Sequence, residues 1–407
     1  MVKPERRTRG DLLAALAIAV VVAVAAGVIW WTSDARATIS RPAADRSTSA
    51  VAATAVPATL KQLWTATSPY TTSPVVAGGV VVTGNGNTVA GLDPATGQTR
   101  WTFARDRELC GVSYLYFYAV AVYPDGRGCG QVSTIDATDG TRGPTRSGYA
   151  DKHVDLTSDG VTVLAAGSTR LELWRSDMVR VLGYGEVDAR VLPVATGVGK
   201  GCDLLSAAAS TAAVSVLQSC AGEENVRLTL LRPADQDDQP KIKDIPQVGV
   251  TAQSGARVLA VSDTTTAVYL PLPTPRVSVV DETGTELSST PVPEAPSSAS
   301  PAGTVTKVGD FYTWWTGTSV MVFDADHLSY RYTVAADGPV VPLGPATIMA
   351  KKLLIPVVNG LGVYNSDTGA RERIIPVQRP PADTAIVPSV SGPIVLEQRG
   401  HTVAALG

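Results

Sequence analysis

The chain has 407 residues, 44% of them hydrophobic, and a formal net charge of −3. That length and apolar share suffice for a sizeable core. The near-neutral balance removes the electrostatic case for a nucleic-acid partner.

Residues 1–11 carry Lys3, Arg6, Arg7 and Arg9 against only Glu5 and Asp11. Leu12 to Trp31 then runs for 20 residues without a charge. At about 1.5 Å per helical residue, that run crosses the roughly 30 Å hydrocarbon layer of a bilayer. The basic flank predicts a cytoplasmic stub (1–11), a transmembrane helix (12–31) and an extracytoplasmic remainder. Trp30 and Trp31 stand where an outer aromatic belt would lie. Ala35-Arg36-Ala37 has the small-x-small form of a signal-peptidase site, so a cleaved signal peptide is the rival reading. The apolar run exceeds the usual ~7–15-residue signal core, which favours a retained anchor at the plasma membrane. Both readings export residues 38–407.

Residues 32–57 are rich in Ala, Ser, Thr and Pro without periodicity, and read as a flexible linker. Over 58–407, short Val/Leu/Ile/Tyr runs alternate with Gly, Asp, Asn and Thr turns, which predicts an all-β domain. The turns repeat. Leu92-Asp93-Pro94-Ala95-Thr96-Gly97-Gln98-Thr99-Arg100-Trp101 is the sharpest copy. Asp93 can accept backbone N–H bonds within the turn, and Gly97 can take positive φ. Further copies lie at Ile135–Gly140, Val280–Gly284 and Tyr364–Gly369, with a weaker one at Phe323–Asp326.

Turn positions 93 and 136 are 43 residues apart, and 281, 324 and 365 are separated by 43 and 41. The gap between 136 and 281 has room for two degenerate copies, with strand ends at Leu173-Trp174-Arg175 and Leu230-Leu231-Arg232. A period of about 40–45 residues with four strands per unit is the signature of a β-propeller. Turns near 93, 136, 175, 232, 281, 324, 365 and 407 predict eight blades, or seven if the degenerate copies merge. Thr402–Gly407 matches Thr88–Asp93, a third strand. Gln62–Ala66 matches Thr99–Phe103, a fourth strand. One blade is therefore expected to be shared between the N- and C-terminal strands, which pairs strand edges that would otherwise stay open.

The Asp-x-x-Thr-Gly-x-x-x-Trp form at Asp93–Trp101 resembles the repeat of quinoprotein-like (pyrroloquinoline-quinone-type) β-propellers, over roughly 58–407. The whole chain is also similar to Ala/Val-rich single-pass membrane proteins of mycobacteria and their relatives. The first resemblance implies the fold and raises a quinone-dependent oxidoreductase using the central channel. Members of that family bind their quinone over a metal and commonly carry a disulfide between adjacent cysteines. This chain has no Cys-Cys, and the family's acidic base and metal ligands map onto no position here. The fold resemblance therefore does not bring the activity with it.

Cys110, Cys129, Cys202 and Cys220 form two local pairs, separated by 19 and 18 residues. Export permits disulfides. The lack of Cys-x-x-Cys and the remoteness of His153, His327 and His401 weigh against zinc. Each pair brackets what reads as the first two strands of a blade. In an antiparallel hairpin the start of one strand faces the end of the next at about 4.5–5.5 Å, within disulfide reach. Structural bridges 110–129 and 202–220 are expected, with free buried thiols as the alternative.

Catalytic patterns are poor: neither Gly-x-Ser-x-Gly nor His-Glu-x-x-His occurs. Gly197–Gly201 lacks the ending of a phosphate loop. Asp235-Gln236-Asp237-Asp238 lacks the glycine and distant glutamate of an EF-hand. No catalytic, cofactor or metal residue is assigned. Trp64 and Trp101 share a strand position and are expected between blades, whereas adjacent Trp314 and Trp315 must face opposite ways.

The expected function is a non-catalytic scaffold or ligand-binding module of the cell envelope, engaging an envelope protein or ligand. An extracellular sensor relying on a partner is a further reading. One candidate contact region is a rim of charged loops carrying Arg105, Asp106 and Arg107, then Asp151, Lys152 and His153, then Glu223 and Glu224, because charges on rigidly mounted loops suit recognition. The other is the Pro/Ser/Ala-rich loop Pro291–Pro301.

Overall fold

The computed structural model describes residues 8–33, 36–186, 199–237, 239–293, 304–380 and 384–407. Helix α1, Arg9–Thr32, opens on a reciprocal cap. Asp11 N–H donates to Thr8 Oγ1 at 3.2 Å, and Thr8 N–H donates to the Asp11 carboxylate at 2.8 Å. Such a box satisfies two of the helix's orphan donors. None of its apolar stretch is buried against the rest of the chain, and it is long and apolar enough to act as a signal or a membrane anchor.

Beyond the helix stand eight antiparallel sheets, one per blade. The first strands of the blades are Val75–Ala77, Gly111–Leu115, Asp155–Ser158, Cys202–Ala209, Arg257–Val261, Val305–Val308, Thr347–Met349 and Ile386–Ser391. Blades 1–7 take their strands in chain order. Blade 8 joins Ile386–Ser391, Ile394–Arg399 and Thr402–Leu406 to the early strand Gln62–Thr67, with Trp64 opposite Ala405 and Thr67 opposite Thr402. The shared blade thus forms as its repeat pattern predicts. The degenerate third and fourth copies are separate blades, and their third strands end at Trp174 and Arg232.

The core is not one nucleus but a slab at every blade interface. Val163 and Ala165 pack with Leu115 and Val120 of blade 2, whereas Leu164 between them packs with Val214 and Val216 of blade 4. Successive strand residues point to opposite faces, and both faces are covered. That is why the strands read as continuous apolar runs. Trp314 lies with Tyr269 of blade 5, while its neighbour Trp315 turns to blade 7 and donates to Pro342 O at 3.0 Å.

The turn motif supplies the outer clasp. Asp93 Oδ1 accepts from Ala95 N, Thr96 N and Thr96 Oγ1 at 2.9–3.0 Å. Partial burial opposes ionisation of Asp93, but these donors hold its carboxyl below the ordinary range. The turn glycines seat side chains of the preceding blade. A Cβ on Gly97 would lie 2.6 Å from Trp64, and one on Gly140 would lie 2.4 Å from Trp101. Both indoles donate into the same turns, Trp64 to Pro94 O at 2.9 Å and Trp101 to Ala137 O at 2.8 Å.

The stretch read from composition as a linker lies partly on the ring. Ile39–Arg41 forms a fifth strand on blade 1, with Ile39 opposite Ala104 and Arg41 opposite Thr102. The chain then crosses one face of the ring. Ala43 N–H and Ser47 N–H donate to Asp139 O and Thr138 O of blade 2, each at 2.7 Å. Arg46 pairs with Asp136 and Asp139 at 2.9 Å each. Farther on, Arg373 of blade 7 donates to the carbonyls of Val56 and Pro57 at 2.9 Å. Hydrogen bonds, the arginines Arg46 and Arg373, and small apolar contacts of Ala43, Ala53 and Val56 hold this segment, so its low hydrophobicity did not signal the contact.

Candidate functional site

Strand direction defines two faces. The upper face carries the fourth-to-first and second-to-third loops of the blades, and the lower face carries the others. All three candidate charged loops lie on the upper face, after Thr99–Ala104, after Arg142–Ser147 and after Val214–Cys220.

Both disulfides are present, Cys110–Cys129 and Cys202–Cys220. Cys202 and Cys220 are directly opposite at the upper end of the first hairpin of blade 4, as expected. The placement of the other bridge differs. Cys129 lies in Gly128–Asp136, the third strand of blade 2, so that bridge spans the first strand and the whole of Tyr118–Asp125. The tight turn after Asp125 brings the third strand back so early that Cys129 comes within 6.0 Å of Cys110 between Cα atoms.

The rim residues divide by role. Arg105 is buried, its guanidinium 5.5 Å from the Tyr123 ring centroid, while Asp106 and Arg107 are exposed. Asp151 accepts from Thr169 N, Thr169 Oγ1 and Arg170 N at 2.6–3.2 Å, which fixes the blade 2–3 crossover to the next hairpin. Lys152 and His153, carried on that crossover, are exposed. Glu223 pairs with Arg227 at 3.3 Å, and Glu224 is exposed. Glu294–Pro301 of the proline-rich loop lies outside the described residues. So does Asp238; Asp237 pairs with Arg180 of blade 3 at 2.6 Å and ties blades 3 and 4 together.

The upper-face loops meet at a cavity of about 860 Å³ in the central channel. Its mouth holds Thr72, Lys152, His153 and Arg257. Its wall comes from the first strands of blades 3–6, with Leu156, Leu204, Leu205 and Val258. Asp159, Thr162 and Tyr312 lie toward the lower end. Asp159 accepts from Val161 N and Thr162 N at 2.9 and 2.7 Å, which shapes the turn. Burial, and then the Asp159 and Asp263 charges, push the Tyr312 hydroxyl well above its usual range, so it stays protonated and donates to Val261 O at 3.2 Å. This volume lies in the range of small-molecule sites, and an apolar wall with a few polar groups is their usual make-up.

Arg257 is the residue that sequence reading missed. It opens an apolar run and carries no local signal. Strand pairing sets it opposite Tyr269 in its own hairpin, and packing against blade 6 sets it beside Trp314, at 5.7 and 5.6 Å from their ring centroids.

Solved β-propellers share this shape. Sqt1 from Saccharomyces cerevisiae aligns with a TM-score of 0.51 at 10% identity, covering 87% of this chain and 99% of that one. BamB from Moraxella catarrhalis gives 0.46 at 13%, covering 86% and 98%. The WD40 domain of Neurospora crassa Pan2 gives 0.42 at 11%, covering 74% and 89%. No family model matches the chain, and no curated protein matches it in sequence. At 10% identity the likeness to Sqt1 speaks to the fold alone.

The quinone chemistry raised by the repeat does not find its donor set here. Among the described residues no three His, Cys, Asp or Glu side chains cluster as metal ligands. The cysteines bridge strands rather than adjacent positions. No step through a quinone is derived.

Proposed function

We propose that this chain is a membrane-anchored, extracytoplasmic binding module without catalytic activity of its own, and that it takes its ligand or partner at the upper mouth of the channel. One observation carries the reading. A cavity with an apolar wall opens among loops braced by hydrogen bonds and by two disulfides, and its mouth presents Lys152 and His153. Rigidly mounted polar groups around an apolar cavity select a ligand at low ordering cost.

Retention of the anchor is tested by intact mass. Protein extracted from membranes is expected to keep residues 9–32. A mature N-terminus at Thr38 would remove the anchor and leave export standing.

The binding reading is tested by comparative recovery of partners from membranes, using the full chain. Lys152→Glu together with His153→Glu is expected to reduce recovery. Asp367→Lys, on the lower face, is expected to leave it unchanged. Both variants should melt within about 2–4 °C of the parent, as surface changes do. Equal recovery by both variants, or equal loss, would sink the assignment to the upper mouth.

A further inference from the structure

The channel mouth is rich in cations. Lys152, His153 and Arg257 stand there with Asp151 and Asp155, whereas Asp159 and Lys307 stand toward the lower end. Between them the wall is apolar, and Leu205 is left 39% exposed. Asp151, the acid beside Lys152, is committed to the Thr169–Arg170 backbone.

Arg257 stands apart from the ion-paired arginines of the ring closure. Its Nε is buried without a hydrogen-bond partner, and among the described residues it has no carboxylate within ion-pair distance. By contrast, Arg379 and Arg399 both bond Glu397. Burial draws the Arg257 guanidinium below its ordinary value. A half-buried cation whose Nε lacks a partner and whose neighbours are aromatic rings is relieved by an incoming anion.

The tether adds a direction. Ile39 is pinned opposite Ala104, at the upper end of blade 1. Only residues 33–38 separate it from the end of α1 at Thr32. A fully extended chain of that length reaches about 25 Å at most. With α1 in a bilayer, the upper rim of blade 1 therefore stays near the membrane surface, on the same face as the channel mouth.

From these juxtapositions, and resting on the binding reading above, we infer that the channel takes an anionic amphiphile with an acyl chain. The charged head sits at Lys152, His153 and Arg257, and the chain lies along Leu156, Leu204, Leu205 and Val258. The shared chemistry is a phosphate or carboxylate head. A membrane lipid supplies it together with a chain, whereas a free anion supplies the head alone.

The test uses the full chain in phosphatidylcholine nanodiscs with a diazirine-bearing acyl phosphate, and maps the photo-crosslinks by mass spectrometry. Crosslinks are expected in 204–209 and 257–261. Dodecyl phosphate should compete for them, and dodecyl maltoside and inorganic phosphate should not. Arg257→Gln and Leu205→Glu should each lower labelling by about tenfold, the scale of one lost charge-assisted or apolar anchor. Melting of each variant near the parent midpoint excludes unfolding. Arg257→Lys, which keeps the charge, should recover part of the labelling. Labelling confined to α1, or equal competition by maltoside, would overturn the inference. Competition by inorganic phosphate would reduce the ligand to a free anion and overturn the acyl component. If recovery of partners still depends on Lys152 and His153 while the channel stays unlabelled, the amphiphile falls and the binding module stands.

Discussion

Replacing Glu397 with alanine is expected to lower stability by about 3–5 kcal/mol, the range for removing one partner of a buried ion pair. Glu397 is completely buried, between Arg379 and Arg399, whose side chains are 5% and 7% exposed. Arg379 donates to both carboxylate oxygens, at 2.8 and 2.6 Å, and to the carbonyls of Val357 and Gly360 in blade 7. Arg399 donates to Glu397 and also to Gln62 on the strand that closes the ring. Loss of the carboxylate strands two guanidinium groups where three parts of the closure meet.

Burial opposes ionisation of Glu397, but the bonds and charge of Arg379, then those of Arg399, outweigh it and hold the carboxyl below its usual range. A depressed carboxyl stabilises the fold above its unfolded pKa and loses that contribution as pH falls through the folded value. Glu397→Gln should therefore flatten the acid limb of the stability profile as well as lower its plateau. Urea denaturation across pH measures both effects. A plateau loss below about 1 kcal/mol for the alanine variant would show that the triad adds little to closure.

The paired substitution Cys202→Ser with Cys220→Ser is expected to cost about 3 kcal/mol, from the entropy of a released loop of this length. Cys110→Ser with Cys129→Ser should cost a similar amount, because the two sequence separations are 19 and 18. The comparison is thermal unfolding of oxidised parent, reduced parent and each variant. A midpoint unchanged within about 1 °C in both variants would mean that the bridges add no stability. Reduction should erase the difference between the parent and a variant lacking both bridges.

Turn chemistry was legible because it is local. An Asp or Asn accepting N–H bonds from the residues just ahead, mostly with a following glycine at positive φ, is written in consecutive residues, and 93, 136, 281, 324 and 365 carried the period. The second bridge was legible for the same reason, since Cys202 and Cys220 are the two ends of one hairpin. The first was legible as a pair but not in its placement. Its position depends on how early the turn after Asp125 folds back.

The amino-acid sequence by itself determined the apolar helix, the all-β class, the propeller repeat of eight or seven units and the sharing of one blade between distant strands; the structure decided eight. Each follows from periodicity or local hydrogen bonding, which neighbouring residues specify. Tertiary structure alone decided which charges face the channel. It turned Arg105 inward onto Tyr123, drew Asp151 into a crossover clasp, and set Arg257 half-buried over two rings. It also laid 39–57 across the ring through backbone hydrogen bonds, Arg46 and a few small apolar side chains, which make no periodic pattern. The reason is common to these cases: burial and pairing of a charge are set by side chains on neighbouring strands and blades, brought alongside only when the sheets form and pack.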